Sequence, residues 1–180
     1  FKRDYTGYLH NRLGKTHLYV QEGGQVRQIT SGQWDEGSAA WSPCGTKIAF
    51  ASNRTGNPDA NSCSNIWVVS ADNTDQGKSL IQVTADGGAG ESPDDGHSNG
   101  SPKWSPDGNS IVYSTSPSHP QVMWYSTAHI AIAAADGSDA TNGGRVLTRK
   151  LDRNLRGAEY SAHGAGEQVP ICCTLCTVTT

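Results

Sequence analysis

Apolar and polar positions alternate in short runs along this chain, separated by stretches rich in Gly, Asn, Asp and Ser. The pattern Trp-Ser-Pro-x-Gly-x-x-Ile-apolar-aromatic spans residues 41–50 and returns at 104–113. Ser-Pro-x-Gly suits a type I turn, because Pro presets φ at the second corner and Gly relaxes the exit. Each copy therefore predicts a strand ending in Trp, a tight turn and a strand opening on Ile.

A second recurring pair of strands accompanies these copies. Residues 17–20 and 26–30 flank a Gly-Gly turn and predict a β-hairpin. Equivalent pairs of runs follow each Trp-containing copy, and the unit closes on a strand that ends in Leu/Val-Thr. The predicted unit thus has four strands in sequence. Its later pairs lie at 65–69 with 80–84 and at 129–132 with 145–148.

A long internal repeat with one aromatic-plus-turn signature per unit predicts a β-propeller. The spacing between copies exceeds the roughly 40–45 residues usual for one blade. We assign the excess to surface loops, because these segments are rich in turn-forming residues. The predicted loops are 53–64, 70–79, 86–100 and 136–144.

A third copy of the repeat is degenerate. Tyr160 stands where Trp is expected, and Gly164 closes the turn sequence. Residues 165–180 lack the expected Ile-x-aromatic strand, which suggests a truncated, frameshifted or alternatively spliced end. We therefore predict an all-β chain: an incomplete β-propeller of about two and a half blades of antiparallel strands over 1–164, and an irregular tail over 165–180.

Composition narrows the possible functions. The net charge of −3 without a Lys/Arg cluster argues against nucleic acid as a partner. The longest apolar run, 130–135, is too short to span a bilayer. Because the sequence begins at Phe1 and holds too few repeats for a closed propeller, we expect it to be a piece of a larger protein. The compartment stays open.

Several stretches together resemble a known family, over about residues 1–164. They are similar to the N-terminal β-propeller of prolyl oligopeptidase-family serine peptidases, above all the bacterial acylaminoacyl peptidase and dipeptidyl aminopeptidase types. The Trp-Ser-Pro-Asp-Gly unit also resembles the repeat of TolB, but the contexts of Arg54 and Arg153 favour the peptidases. The resembling stretches are 4–9, 17–20, 41–54, 59–69, 124–132 and 147–154.

The chain departs from the family pattern at three places. Cys44 replaces the Asp of the turn, which we expect to weaken that turn without changing the fold. Residues 86–100 form an insertion whose Ser-Pro-Asp-Asp-Gly mimics the repeat turn but lacks its Trp. Everything beyond Gly164 is also off-pattern.

The resemblance implies a non-catalytic role for this chain. In the family, a Ser-Asp-His triad lies in a C-terminal α/β-hydrolase domain, and the propeller covers the active site and admits peptides by size. The one Gly-x-Ser-x-Gly match in the sequence, from Gly96 to Gly100, falls within the predicted loop 86–100 and not at a strand-to-helix turn, so we expect the chain to be inactive alone. Its implied partners are that hydrolase domain and peptide substrates, in the cytoplasm or periplasm of a bacterial parent.

No catalytic, cofactor-binding or metal-ligating residue is assigned from the sequence. His163 with Cys172, Cys173 and Cys176 provides a single cluster, whereas structural zinc sites usually combine two. His163-Gly164-Ala165-Gly166 superficially resembles an oxyanion-hole motif, but its register assigns it to the repeat turn. The acidic stretches at 35–36 and 91–95 could bind calcium or a peptide amine; without ligand spacing, solvated loops are the better interpretation.

Other features are assigned to structure. Cys44 and Cys63 are predicted to be free thiols, with a disulfide between them left open. Two alternatives to the peptidase hypothesis remain: a TolB-like propeller that binds protein partners, and a decayed fragment without independent function. We place eight large side chains in the core between blades, namely Trp41, Ile48, Phe50, Trp67, Trp104, Ile111, Tyr113 and Ile130.

Overall fold

A computed structural model describes residues 15–55, 58, 61–85, 96–118, 126–142, 144–160 and 171–175. The predictions for 4–9, for the acidic stretch at 91–95, for 124–125, for 161–170 and for Cys176 lie outside these residues. The described part is all-β, apart from one short 3₁₀ helix at Ala140–Asn142, so the predicted fold class is confirmed at that level. Among the described residues, no helix is long and apolar enough to cross a membrane.

All strand pairs within the four sheets are antiparallel, and consecutive strands are neighbours. The N-terminal hairpin consists of β1 and β2, the first sheet of β3–β6, the second sheet of β7–β10, and the C-terminal hairpin of β11 and β12. The strands are β1 Tyr19–Glu22, β2 Gln25–Gln28, β3 Glu36–Trp41, β4 Lys47–Ser52, β5 Asn65–Ser70, β6 Ile81–Gln82, β7 His97–Trp104, β8 Ser110–Pro117, β9 His129–Ala134, β10 Arg145–Val146, β11 Leu155–Tyr160 and β12 Ile171–Leu175.

The two complete copies of the predicted turn have the same geometry. The amide of Gly45 donates to the carbonyl of Ser42, and that of Gly108 to the carbonyl of Ser105, both at 2.9 Å. Both glycines have positive φ, at 70° and 73°, which is the left-handed region that Gly enters without steric cost. The predicted turns are thus confirmed.

The threonine that ends each repeat ties two strands together. Its hydroxyl oxygen accepts a hydrogen bond from a backbone amide: Thr30 from Leu18 at 3.0 Å, and Thr148 from Ile130 at 2.9 Å. Thr84 accepts the same bond from Ile66 at 3.0 Å. The threonine that ends the sequence repeat therefore has a physical cause, since its hydroxyl gives an acceptor to an amide at or just before the start of the neighbouring strand.

One of the two central strands of each four-stranded sheet is covered on both faces. In β4, Ile48 and Phe50 pack towards the N-terminal hairpin, and Ala49 packs towards the second sheet. In β8, Ile111 packs towards the first sheet and Val112 towards the C-terminal hairpin. Consecutive buried residues in one strand require neighbours on both sides, so the sheets stack face to face in chain order.

Trp104 fastens the second sheet to the first. Its side chain is 8% exposed, and its indole Nε1 donates to the carbonyl of Ala40 in β3 at 3.0 Å. Of the eight predicted core residues, six are buried and Trp67 is half-buried. The prediction is wrong for Trp41, which is 52% exposed. Its equivalent, Trp104, bonds to a strand of the preceding sheet, β3. Trp41 would need a strand in the same place, but among the described residues only β1 and β2 precede β3.

Two segments are more regular than the sequence predicts. Residues 97–100, assigned to a loop, form the start of β7, where the backbone of Asn99 pairs with Thr115 and its side chain is buried. Five residues of the predicted irregular tail form β12. Ile171 faces Tyr160 there, just as Ile48 faces Trp41 and Ile111 faces Trp104.

Thr84→Val should destabilise the chain by about 1–3 kcal/mol, because it leaves the buried amide of Ile66 without its acceptor. Urea unfolding of this variant, beside Thr141→Val at an exposed position, measures the effect. Equal midpoints for the two variants would contradict the role assigned to the repeat threonine.

Candidate functional site

The most organised group of polar side chains surrounds Glu36, the first residue of β3. Its carboxylate is fully buried and accepts hydrogen bonds at both oxygens. Arg54 Nη2 lies 2.6 Å from Oε1, whereas the hydroxyl of Thr30 donates to Oε2 at 3.0 Å. His17 Nδ1 also lies 3.0 Å from Oε2. We call these four residues the Glu36 cluster.

Arg54 lies among aromatic rings as well as beside a carboxylate. Its guanidinium carbon is 4.7 Å from the ring centroid of Trp34, 5.4 Å from that of Trp67 and 5.8 Å from that of Phe50. A cation over aromatic faces is attracted by their negative charge density. Burial lowers the pKa of Arg54, and Glu36 opposes that shift. The guanidinium stays charged, since its ordinary pKa is far above neutrality.

The Glu36 cluster corrects one prediction from the sequence. The acidic pair at 35–36 was expected in a solvated loop, but Glu36 is 3% exposed and begins a strand. Only Asp35 matches that expectation: its side chain is 56% exposed, pairs with Lys15 at 3.2 Å and accepts from the amide of Thr16. Glu36 pairs with Ser52, and this register turns its carboxylate inward. The amino-acid composition does not reveal the register of a strand pair.

The cluster is built to hold segments together. It connects the segment before β1, the start of β3 and the residues after β4. Both carboxylate oxygens already have donors, and the Thr30 hydroxyl bonds Glu36 as well as the amide of Leu18. Because these groups already bond one another, the geometry favours a structural role over acid–base chemistry. The ion pair stabilises this end of the sheets.

Cys44 takes over the position of an aspartate in its turn. In the second copy, the Asp107 carboxylate accepts from the hydroxyl of Ser105 and from the amide of Asn109, which lowers its pKa. The exposed Cys44 sulfur lies 3.4 Å from the Ser42 hydroxyl and 2.9 Å from that of Thr46. Hydrogen bonds from these hydroxyls, Ser42 first, lower the pKa of Cys44 to about 7. The backbone bond that closes the turn has the same length in both copies.

Among the side chains that the structure describes, the cysteines and histidines do not gather into a site. Cys63 is buried, with its sulfur 3.0 Å from the Ser118 hydroxyl, and Cys44 and Cys63 are both free thiols. The disulfide left open by the sequence is therefore not formed. Within the described part of the chain, no group of three or more His, Cys, Asp or Glu residues could hold a metal ion.

A shallow pocket of about 410 Å³ lies beside the N-terminal hairpin. Exposed Trp41 forms one wall, and the β1 residues from Val20 to Glu22 form another. Arg27 is fixed there by hydrogen bonds to the carbonyls of Ala71 and Asn73, both 2.9 Å long. The pocket thus combines an aromatic surface with a fixed arginine.

Comparison with known proteins does not identify a family for this chain. No protein-family model matches the sequence, and no curated protein matches it either. The internal repeat, the Glu36 cluster and the exposed Trp41 are therefore the features that bear on its function.

Glu36→Gln should cost about 3–5 kcal/mol of unfolding free energy, because it leaves the buried Arg54 guanidinium without a countercharge. The matched Asp35→Asn change removes an exposed carboxylate and should cost less than about 1 kcal/mol. Urea unfolding of both variants measures the difference. Similar costs for the two substitutions would contradict the structural role of the Glu36 cluster.

Proposed function

We propose that this chain is the substrate-gating propeller portion of a prolyl oligopeptidase-family serine peptidase. The observation that supports this most is the repetition of one docking unit along the chain. Two antiparallel four-stranded sheets share strand order, turn geometry and the threonine bond, and the second is fastened to the first through Trp104. Sheets stacked in chain order are what a propeller requires.

In this proposal, the chemistry belongs to an α/β-hydrolase domain and the stacked sheets control which peptides reach it. A gate that excludes folded proteins by size must hold its shape. The Glu36 cluster supports this, because a buried ion pair with three aromatic neighbours fixes the ends of strands that would otherwise fray. Arg54 is also one of the residues that carries the resemblance to these peptidases.

A second function, a TolB-like propeller that binds protein partners, is favoured by a different observation. Tyr19, Val26 and Trp41 are three of the large hydrophobic side chains that the described residues expose. All three lie on β1, β2 or β3, and Trp41 lines the pocket beside β1. Aromatic side chains are enriched at protein-binding surfaces.

Sequencing the gene and transcript from the codon for Tyr160 onward separates the two functions. The peptidase proposal expects an α/β-hydrolase domain with a Gly-x-Ser-x-Gly motif, whereas further Trp-Ser-Pro-Asp-Gly repeats and a stop codon would support the binding protein instead.

The purified chain is also expected to stay unlabelled by a fluorophosphonate, which reacts with activated serine nucleophiles. Subtilisin in the same reaction serves as the positive control. Covalent labelling of the folded chain would show a nucleophile in these residues and overturn the assignment of the chemistry to another domain.

A further inference from the structure

Three backbone hydrogen bonds of one kind join each sheet or hairpin to the one before it in the chain. The donor is an amide at the start of β3, β7 or β11, and the acceptor is the carbonyl two residues before the amide that bonds the repeat threonine. The bonds are Glu36 to Thr16 at 2.9 Å, Asn99 to Ser64 at 3.1 Å and Leu155 to Ala128 at 3.2 Å. Docking between neighbours is therefore a property of the repeat itself.

In both four-stranded sheets, the segment after the third strand reaches back to the preceding sheet or hairpin. In the first sheet, the carbonyl of Gln76 accepts from the amide of Ser31 at 3.1 Å. In the second, the carbonyl of Ala140 accepts from the amide of Ala85 at 3.0 Å. Ser31 and Ala85 each directly follow a repeat threonine, so the two contacts are equivalent. We call these segments the first strap, 71–80, and the second strap, 135–142.

Gly137 brings the second strap into direct contact with β6. Its φ is 77°, and a Cβ atom at this position would lie 2.5 Å from the backbone oxygen of Gln82 and 3.1 Å from Cγ2 of Ile81. Any side chain here would push the strap away from the strand, and the positive φ favours Gly as well.

The contact between the first and second sheets, which we call the seam, is bonded at three places across its width. Trp104 bonds β3 at one edge of the first sheet, Asn99 bonds the residue before β5, and the second strap bonds a residue just beyond β6 at the other edge. Between these bonds lies one apolar cluster with buried side chains from both sheets, among them Val68 and Tyr113. Opening the seam exposes that cluster to water, at a cost in free energy that grows with the apolar area exposed.

We propose that the first and second sheets form one closed wall of the gate, which the second strap holds shut at the β6 edge. The inference rests on the proposed function. A peptide on its way to the hydrolase domain takes a route that does not cross the seam, because passage there breaks three hydrogen bonds and exposes the apolar cluster.

Hydrogen exchange of the purified chain, followed by NMR, tests whether the seam stays closed. Three bonded protons cross it: the amide protons of Ala85 and Asn99 and the indole proton of Trp104. In a closed wall, they exchange within about tenfold of the slowest amides in the β4–β5 pair, because unfolding of the sheets releases both sets. Faster exchange of all three, with β4–β5 still protected, would show a seam that opens by itself and would overturn the proposal.

Gly137→Ala tests the strap in the same experiment. It should speed exchange of the Ala85 amide by about tenfold or more, because the added methyl group displaces the strap from β6. Gly24→Ala is the matched control: Gly24 also has a positive φ, 81°, but a Cβ atom there meets nothing within 4 Å. Equal exchange of the Ala85 amide in the two variants contradicts the role of the strap.

Circular dichroism checks that both variants fold, and the wild-type exchange decides the proposal if Gly137→Ala does not. These measurements involve no hydrolase domain. An open seam therefore overturns the closed wall even if the transcript encodes a peptidase, and a transcript without a hydrolase domain overturns the peptidase proposal even if the seam is closed.

Discussion

The structure depends on each four-stranded sheet being covered on both faces by its neighbours. β4 buries Ile48, Ala49 and Phe50 in succession, which no strand with one solvated face could do. Fully burying a side chain such as Ile48 or Phe50 is worth about 1.5–3 kcal/mol, so burial between the stacked sheets contributes strongly to stability. The Trp104 bond to Ala40 then fixes how neighbouring sheets sit against one another.

The repeat in the sequence predicts this arrangement well where local chemistry decides it. Ser42-Pro43 and Gly45 specify a turn by backbone preference alone, and the threonine endings mark the bond that closes each unit. Trp41 shows the limit of the same reasoning. It has the same motif as Trp104, but its burial depends on the strands beside it, and a local pattern contains no information about those neighbours.

The Glu36 cluster could not be predicted from the sequence, for a related reason. Its members, His17, Thr30, Glu36 and Arg54, come from separate turns and strand ends, and only the strand pairing brings them together. An acidic dipeptide such as Asp35-Glu36 is usually solvated. Here the side chain of Asp35 is exposed, whereas that of Glu36 is buried. β12 was missed similarly, because the separation between Tyr160 and Ile171 departs from the spacing of the earlier copies.

Exchange of the tryptophan indole protons with deuterium, followed by NMR on a dilute sample, tests the sheet-by-sheet docking most directly. The Trp104 indole is bonded to Ala40 and buried, so its proton should exchange slowly, at a rate set by opening between the two sheets. The exposed Trp41 indole provides the fast reference in the same spectrum. Equal, fast exchange at both indoles would contradict the docking on which the account depends.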